Sequence, residues 1–346
     1  MIRGIHRWLY LALVVFFIVL FIFSKKPLWV DTYYVSLLYP WLSKINQGLW
    51  AKIPFSIGDL GYVIGLFYFF WRLFRNSFWK SIKAFVRLLP FVVFLFYFLW
   101  GTLYFKPSLR AQRNLTEELA TTDLTKTTTH YADQLTELHE ELSTSKNEKI
   151  VLSQTKAQLL ALATASMEAS DLRPKNIHGK AKATLFPTLL SYMGFGGYAN
   201  PFTHEAQVNT LQPKLSILTT SCHEIAHQWG YAAEEEANYI GIQVSVVAED
   251  PILAYAGNLL AFRYLINSLY RADKATAEKL INQLPKGTRL HMVEMREFWQ
   301  KYQNPFEQVF EKSYDQYLKA NQQQAGIKSY SLVVGLLVDD FAANQE

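Results

Sequence analysis

The stretch from Ser221 to Gly241, SCHEIAHQWGYAAEEEANYIG, contains the residue types that bind metal ions in proteins. His223 and His227 are four positions apart, and Glu224 directly follows the first histidine. On a helix, side chains at i and i+4 lie one above the other on the same face, so both imidazoles could hold one Zn²⁺. Glu224 could then take a proton from the attacking water. This H-E-x-x-H pattern predicts metal-assisted hydrolysis.

The residues after His227 offer the third ligand that such a site needs. Gly230 follows three positions later, where a glycine with positive φ can end the helix and turn the chain back. Glu234, Glu235 and Glu236 come next, and a tight turn would return one of these carboxylates to the metal. Acids are also favoured at a helix N-terminus, so the run predicts a second helix whose other two glutamates face solvent.

The phase of that second helix distinguishes the three glutamates. Glu234, Asn238 and Gly241 share a face at i, i+4 and i+7, whereas Glu235 and Glu236 point aside. We therefore predict Glu234 as the third zinc ligand, with Glu236 as the alternative. Asn238 would hold a ligating imidazole by its other nitrogen, and Gly241 would allow the two helices to pack closely.

These residues resemble two groups of proteins. H-E-x-x-H followed by E-x-x-A-N, at Glu234 to Asn238, is similar to the gluzincin-type metallopeptidases, whose second helix supplies the third ligand. Nearly the whole chain resembles a family of bacterial membrane proteins, domain of unknown function 3810. That resemblance rests on three apolar N-terminal segments and on F-T-H-E-A-Q-V-N, H-E-I-A-H-Q-W-G, E-E-E-A-N-Y, Y-x-x-Y-L-K and K-S-Y. The first resemblance implies a zincin-like domain with bound Zn²⁺, and the second implies a lineage without a substrate.

Other residues near these motifs admit a functional or a structural interpretation. Cys222 lies one position off the ligand face, so we predict that it packs in the core. His204 is expected at the surface. Hydrolysis also needs a donor for the oxyanion, and spacing does not distinguish four candidates from later in the chain: Arg289, His291, Tyr314 and Tyr330.

Hydrophobic residues make up 50% of the 346 residues, and the excess is concentrated before residue 106. Residues 8–24, 57–74 and 88–105 are predicted transmembrane helices, because each is about long enough to cross a bilayer core. Ser56 and Asp59 form an S-x-x-D capping pattern, which places Asp59 in the interfacial first turn of the second span. We predict a membrane domain over 1–105 and a zincin-like metallopeptidase domain over 106–346, mainly α with a small β element.

The net charge of +5 belongs to the membrane part of the chain. Residues 1–105 contain 11 Lys and Arg against two acids, and the remainder contains 23 against 27. No basic stripe remains for nucleic acid, so the expected partners are the lipid bilayer and a peptide or protein substrate. Residues 72–87 contain five basic residues and no acid, which predicts that this connection is cytoplasmic. The catalytic domain would then lie outside the cytoplasmic membrane.

Two further segments should position the site. Residues 34–49 have apolar side chains at helical spacing, which predicts an aromatic-rich helix on the outer membrane surface or a short packed hairpin. Glu205 to Asn209 is a possible short strand, and we expect it to be an edge strand along which an extended peptide aligns.

The sequence thus predicts a membrane-anchored zinc metallopeptidase. His223, His227 and Glu234 would bind the metal, and Glu224 would act as the base. A non-catalytic zinc-binding sensor or scaffold is the alternative, which the presence of a base disfavours. A membrane protein with a fortuitous motif, whose two histidines merely lie on a helix surface, would bind no zinc.

Overall fold

The chain begins with a long apolar helix that ends in a sharp bend. The computed structural model describes residues 2–115, 119–324, 326 and 332–345. The chain turns by 113° between Trp8–Ser24 and Pro27–Trp50, and Pro27 occupies the first position after the break. The elements on either side of the bend are α1 (Ile2–Ser24), α2 (Pro27–Trp29), a π-helical segment (Val30–Leu38) and α3 (Tyr39–Trp50).

Two further helices, α4 (Ile57–Arg75) and α5 (Phe78–Leu99), are each long and apolar enough to cross a membrane. The bent segment that begins with α1 is a third candidate. The chain therefore has two or three helices that could span a membrane. Our predicted third span, 88–105, differs from α5 at both ends. Gly101–Phe105 is a buried 3₁₀-helix, because these residues pack into the core of the following domain instead of facing lipid.

The segment between the first two long helices packs against the rest of the protein. Val30, Tyr34, Tyr39 and Leu42 belong to the same buried hydrophobic cluster as the core after residue 105. The Tyr39 hydroxyl also donates a hydrogen bond to the carbonyl of Gln228 at 2.9 Å. This segment is therefore held in the fold through one face, and it does not rest on the membrane surface alone.

The start of α4 is fixed by buried polar contacts. Ser56 caps the helix by accepting a hydrogen bond from the Asp59 backbone N–H at 2.9 Å, as the capping pattern predicts. The Glu205 carboxylate accepts hydrogen bonds from the N–H groups of Ile57 and Gly58, at 3.1 and 2.7 Å, and lies 2.8 Å from Lys182 Nζ. A carboxylate at a helix N-terminus neutralises unpaired N–H groups, so the first turn of α4 is joined to the domain.

The remainder of the chain is mainly helical. Residues 131–171 belong to two helices and the segment between them, and residues 187–200 contain one short helix and a strand. A central helix with buried Tyr255, Phe262 and Leu265 packs against several other helices of the core. These helices are α6 (Leu109–Gln112), α7 (Thr121–Leu142), α8 (Lys156–Ala169), α9 (Pro187–Tyr192), α10 (Lys214–Gln228), α11 (Glu234–Val246), the central α12 (Pro251–Ala272), α13 (Lys274–Gln283), α14 (Lys286–Tyr302), α15 (Glu307–Ala320) and α16 (Val333–Ala343).

A small sheet lies beside α10. Its strands are β1 (Ala181–Ala183), β2 (Gly197–Ala199) and β3 (Ala206–Val208), in the order β1-β3-β2. β3 pairs in parallel with β1 and antiparallel with β2. Our prediction that Glu205 to Asn209 forms an edge strand is wrong, because β3 has a neighbour on both sides. The sequence shows only that β3 is a strand, whereas its place depends on two strands distant in sequence.

Candidate metal centre

The H-E-x-x-H residues lie in the last two turns of α10. His223, Glu224 and His227 have potential ligand atoms that all lie within 4.8 Å of one another. The helix ends at Gln228, and Gly230 then adopts φ +96° while its N–H bonds to the His227 carbonyl. This left-handed conformation reverses the chain, as the sequence predicts, because a side chain is strongly disfavoured there.

The second helix brings one glutamate onto both histidines. α11 begins at Glu234, and Glu234 Oε2 lies 3.3 Å from His223 Nε2 and 3.7 Å from His227 Nε2. A Cβ at Gly241 would be 3.0 Å from the His223 backbone nitrogen, so α10 and α11 are in close contact on this face. The structure therefore brings the three predicted ligands together. Their binding of zinc stays a prediction.

Contacts around these side chains set their orientation. His227 Nδ1 lies 2.6 Å from the Tyr231 carbonyl, so this nitrogen donates to that oxygen and Nε2 is turned towards Glu234. The Tyr314 hydroxyl on α15 donates a hydrogen bond to Glu234 Oε1. Asn238 is buried, but among the described residues its Nδ2 finds no partner. The predicted hydrogen bond from Asn238 to an imidazole is therefore not seen at His227, whose Nδ1 bonds to the Tyr231 carbonyl instead.

The other two glutamates of the run are buried, so our prediction that they face solvent is wrong. Glu236 Oε1 accepts a hydrogen bond from the Leu109 N–H at 2.7 Å, and Oε2 lies 3.2 Å from Lys106 Nζ. Residues at the start of α6 thus cover this end of α11. Burial raises the pKa of Glu235 to about 7, and the neighbouring Glu236 and Glu234 add to this. Glu236 has its own partners and faces away from the histidines.

Glu224 is a buried carboxylate beside the two histidines. Burial is the main reason that the pKa of Glu224 rises to about 7; His223 and His227 lower it, and Glu234 raises it. Glu224 Oε2 has no hydrogen-bond partner among the described residues. The side chain reaches strand β2, where a Cβ at Gly197 would be 2.7 Å from Glu224 Oε1. Only a residue without a side chain leaves room for the carboxylate at this position.

The histidine and carboxylate charges compensate one another in the buried site. Burial alone would lower the pKa of His227, but the Glu234 carboxylate outweighs burial and raises it. Conversely, burial would raise the pKa of Glu234, whereas its bonds to His223 and His227 hold it well below the usual range. Glu234 is thus ionised at neutral pH, which is the state that can bind a cation.

The remaining candidates separate clearly. His291 lies elsewhere, where its Nε2 accepts a hydrogen bond from the Ile150 N–H at 3.1 Å. Arg289 does not line the cavity at the site. Tyr330 lies outside the described residues. Among the three candidates that the structure describes, Tyr314 contacts a predicted ligand, because its hydroxyl bonds to Glu234.

Two other residues in this region have a structural role. Cys222 is fully buried, as predicted, and burial raises its pKa to about 11. His204 is also buried, against our expectation of a surface residue, and its Nε2 lies 3.0 Å from the Leu99 carbonyl at the end of α5.

The family model for proteins of unknown function DUF3810 matches residues 34–338. The chain belongs to this family. No curated protein and no solved structure gives a significant match. Because the function of the DUF3810 family is unknown, membership does not indicate an activity, and the function has to be argued from the site itself.

The site of this DUF3810 chain opens into a cavity of about 710 Å³. One side of the cavity has His223, Glu224, His227 and Glu234. Sequence patterns did not indicate that the other side comes from the long apolar helices. Trp100 follows α5, and its ring centroid lies 6.0 Å from that of His227. Further contributors from these helices are Asp59, Tyr62, Val63, Leu66 and Phe96.

Proposed function

We propose that the protein is a membrane-anchored zinc metallopeptidase that hydrolyses peptide bonds. The observation that carries this proposal is the position of Glu234, whose Oε2 lies 3.3 Å and 3.7 Å from the Nε2 atoms of His223 and His227. A chance H-E-x-x-H pattern requires no third carboxylate between the two imidazoles. Glu224 lies beside them with one carboxylate oxygen unpaired among the described residues.

The donor set fits zinc. Ligands about 2.0–2.2 Å from one zinc ion in a tetrahedral shell are about 3.4 Å from one another. The two Glu234 distances are close to this value. Two imidazoles and one carboxylate leave a fourth position open, which distinguishes catalytic from structural zinc sites. His227 is already turned by the Tyr231 carbonyl so that Nε2 can bind the ion.

The residues of the chain have complementary parts in hydrolysis. Zinc, when bound there, supplies a Lewis acid that polarises the peptide carbonyl and acidifies water. Glu224 takes the proton from the attacking water and passes it to the leaving amine. Tyr314 holds the Glu234 carboxylate through its second oxygen and so fixes the ligand.

The outer edge of β2 supports the use of a polypeptide substrate. Asn209 N bonds to Gly196 O and Asn200 N bonds to Glu205 O, so alternate residues of this strand face β3. The backbone groups of Gly197 and Ala199 therefore point away from β3, towards the cavity that both residues line. An extended peptide could pair with them and place its carbonyl next to Glu224.

We further propose that the catalytic domain lies outside the cytoplasmic membrane. The end of α1, the end of α5 and the start of α4 all contact the domain, through Ser24, Leu99 and Ile57, so the connection Asn76–Ser77 lies at the far ends of α4 and α5. The basic residues Arg72, Arg75, Lys80, Lys83 and Arg87 flank that connection. By the positive-inside rule, this end is cytoplasmic.

The direct test uses the full chain purified in detergent. We expect about one zinc per chain, and cleavage of a random peptide pool that stops when zinc is removed by a chelator and returns when zinc is restored. Glu224→Gln should keep the zinc and lower cleavage by roughly 10²- to 10⁴-fold, because the base is lost and the ligands remain. Glu297→Gln, an exposed acid on α14, is the matched control and should behave as the wild type.

The outcomes separate the competing functions. A chain without zinc would overturn the metal site. A chain with zinc that cleaves no peptide, in the wild type as in Glu224→Gln, would favour the non-catalytic zinc-binding alternative.

A further inference from the structure

The cavity at the candidate site has two walls of different chemistry. His223, His227 and Glu234 line one of them and are largely shielded, with His227 4% and Glu234 3% exposed. The opposite wall consists of residues from α4 and from the α9 region. Five of the lining residues in the described chain are exposed, and all five are apolar or aromatic: Tyr62, Val63, Leu66, Phe186 and Leu189. The mouth of the cavity therefore lies along α4 and α9.

The α4 part of this mouth lies on a predicted membrane span. Tyr62, Val63 and Leu66 share one face of the helix, at spacings of three and four residues. Leu66 comes nine residues after Ile57, which places it about 13 Å along the helix from the domain. It is 58% exposed, as expected of a residue that contacts lipid. The cavity wall thus continues into the surface that a bilayer would cover.

The α9 part of the mouth is apolar as well and is fixed to α4. Leu189 is 55% exposed, and Leu185 and Phe186, just before α9, are exposed too. The Leu185 N–H donates a hydrogen bond to Asp59 Oδ2 at 2.6 Å, and Asp59 lies in the first turn of α4. Apolar side chains therefore line both sides of the mouth. Such a surface is stable only against lipid or another apolar chain.

We propose that the substrate is a membrane-anchored polypeptide that enters from the bilayer side, with an apolar segment against α4 and the scissile bond next to Glu224. This proposal rests on the proposed peptidase function and names its substrate class. The β2 edge favours a polypeptide over a lipid acyl chain, because Gly197 and Ala199 offer backbone donors and acceptors that an acyl chain cannot use. A fully water-soluble peptide would leave the apolar mouth without a partner.

The test compares anchored and soluble forms of the same peptides. The full chain is reconstituted into vesicles of phosphatidylethanolamine and phosphatidylglycerol. One peptide pool carries randomised segments joined to an anchor of about 20 leucine and alanine residues, and the second pool carries them on a soluble tag. We expect kcat/KM for the anchored pool to exceed that for the soluble pool by at least roughly tenfold, the factor that about 1.4 kcal/mol of added apolar contact would give. Equal rates would overturn the proposal and leave the peptidase function intact.

A matched pair of variants tests whether the α4 face is the route. Leu66→Trp narrows the mouth and should lower cleavage of the anchored pool about tenfold or more, with the zinc content unchanged. Ile64→Trp is the control, because Ile64 is equally exposed to the bilayer side of α4 but does not line the cavity. Equal loss in both variants would show that the effect comes from the span in general and would contradict the proposal.

Photo-crosslinking separates substrate binding from peptide cleavage. A benzophenone amino acid replaces Leu66 in the Glu224→Gln chain, and the same replacement at Ile64 is the control. Cross-links to the anchored peptide from position 66, and few from position 64, would support the binding route even if no cleavage occurred in any pool. That combination would refute the proposed peptidase function and still support the proposed binding route. Cross-links from position 66 to phospholipid only would show that lipid occupies the mouth and would overturn the proposal.

Discussion

The two walls of the cavity differ in how they treat polar groups. On the wall formed by α10 and α11, buried side chains of opposite charge are paired, since Glu234 lies close to both His223 and His227. On the wall formed by α4, the exposed lining side chains are apolar or aromatic. The polar contacts of this wall are found at the start of the helix, at Asp59. The difference indicates a division of labour. In our proposal, the first wall determines which reaction is possible, and the second determines which molecules reach the site.

The polar groups at the start of α4 are as buried as the predicted metal ligands on the first wall. Glu205 is 3% exposed, and its carboxylate joins Lys182 to the first N–H groups of α4. On the first wall, we propose that buried charge prepares a site for a cation. At the membrane wall, buried charge joins two parts of the fold. The comparison can be tested by changing one charged group at a time.

The largest expected effect is the loss of the metal on the first wall. Glu234→Ala and His227→Ala should reduce zinc from about one per chain to near zero, because too few ligands remain for a stable shell. Glu236→Gln should retain zinc, since Glu236 contacts Lys106 and Leu109 instead. Elemental analysis of the full chains measures this. Zinc lost from Glu236→Gln and kept by Glu234→Ala would reassign the third ligand.

The next effect concerns the charge at the membrane wall. Lys182→Met leaves the buried Glu205 carboxylate without its cation, and we expect the free energy of unfolding to fall by about 3–5 kcal/mol. Lys180→Met is the control, because Lys180 is exposed and its ammonium donates a hydrogen bond to the Ala51 carbonyl without a carboxylate partner among the described residues. Denaturant unfolding in detergent gives both values. Similar stability of the two variants would mean that the Lys182 pair does not hold the junction.

A pH effect of about 3 kcal/mol is expected at the end of α5. Burial lowers the pKa of His204 to about 4, although the Leu99 carbonyl partly opposes this. Between pH 6.5 and 4 the unfolded chain therefore binds a proton that the folded chain does not, so this contribution to stability is lost as the pH falls. His204→Asn removes the titration and tolerates the left-handed backbone at this position, where φ is +53°. Parallel stability curves of the wild type and variant from pH 7 to 4 would refute the assignment.

The smallest effect is a change in ligand orientation on the first wall. Tyr314→Phe removes the hydrogen bond to Glu234 Oε1 and should weaken zinc binding by roughly ten- to a hundredfold. Competition with a chelator measures the affinity. Tyr302→Phe is the control, because Tyr302 on α14 lines no part of the cavity. Unchanged affinity in Tyr314→Phe would show that packing of α10 and α11 alone positions the carboxylate.

The sequence predicted the features that depend on neighbours along the chain. The i, i+4 histidines, the left-handed Gly230 and the face shared by Glu234 and Gly241 all follow from helix geometry and turn chemistry, and the structure has them. The cap on α4 belongs to the same class, because Ser56 bonds to a residue three positions later.

The features that the sequence did not predict depend on distant segments. β3 became a central strand because β1 and β2 pair with it on either side, and strands of three residues carry little pattern. Glu236 is buried because Lys106 and Leu109 reach it from 127 residues away or more. The cavity forms where α4, the α9 region and α10 come together, and the spacing of residues along one segment cannot predict contacts between distant segments.

The capped start of α4 has a mechanical consequence. Because Glu205 bonds to the first N–H groups of this candidate span, the domain is fixed directly to the start of the helix. The candidate site would therefore sit at a constant height above the lipid and work as a molecular ruler, which selects the bond to be cut by its distance from the bilayer. In that case, inserting residues between an anchor and the cleaved sequence should shift the cut towards the anchor by the same number of residues.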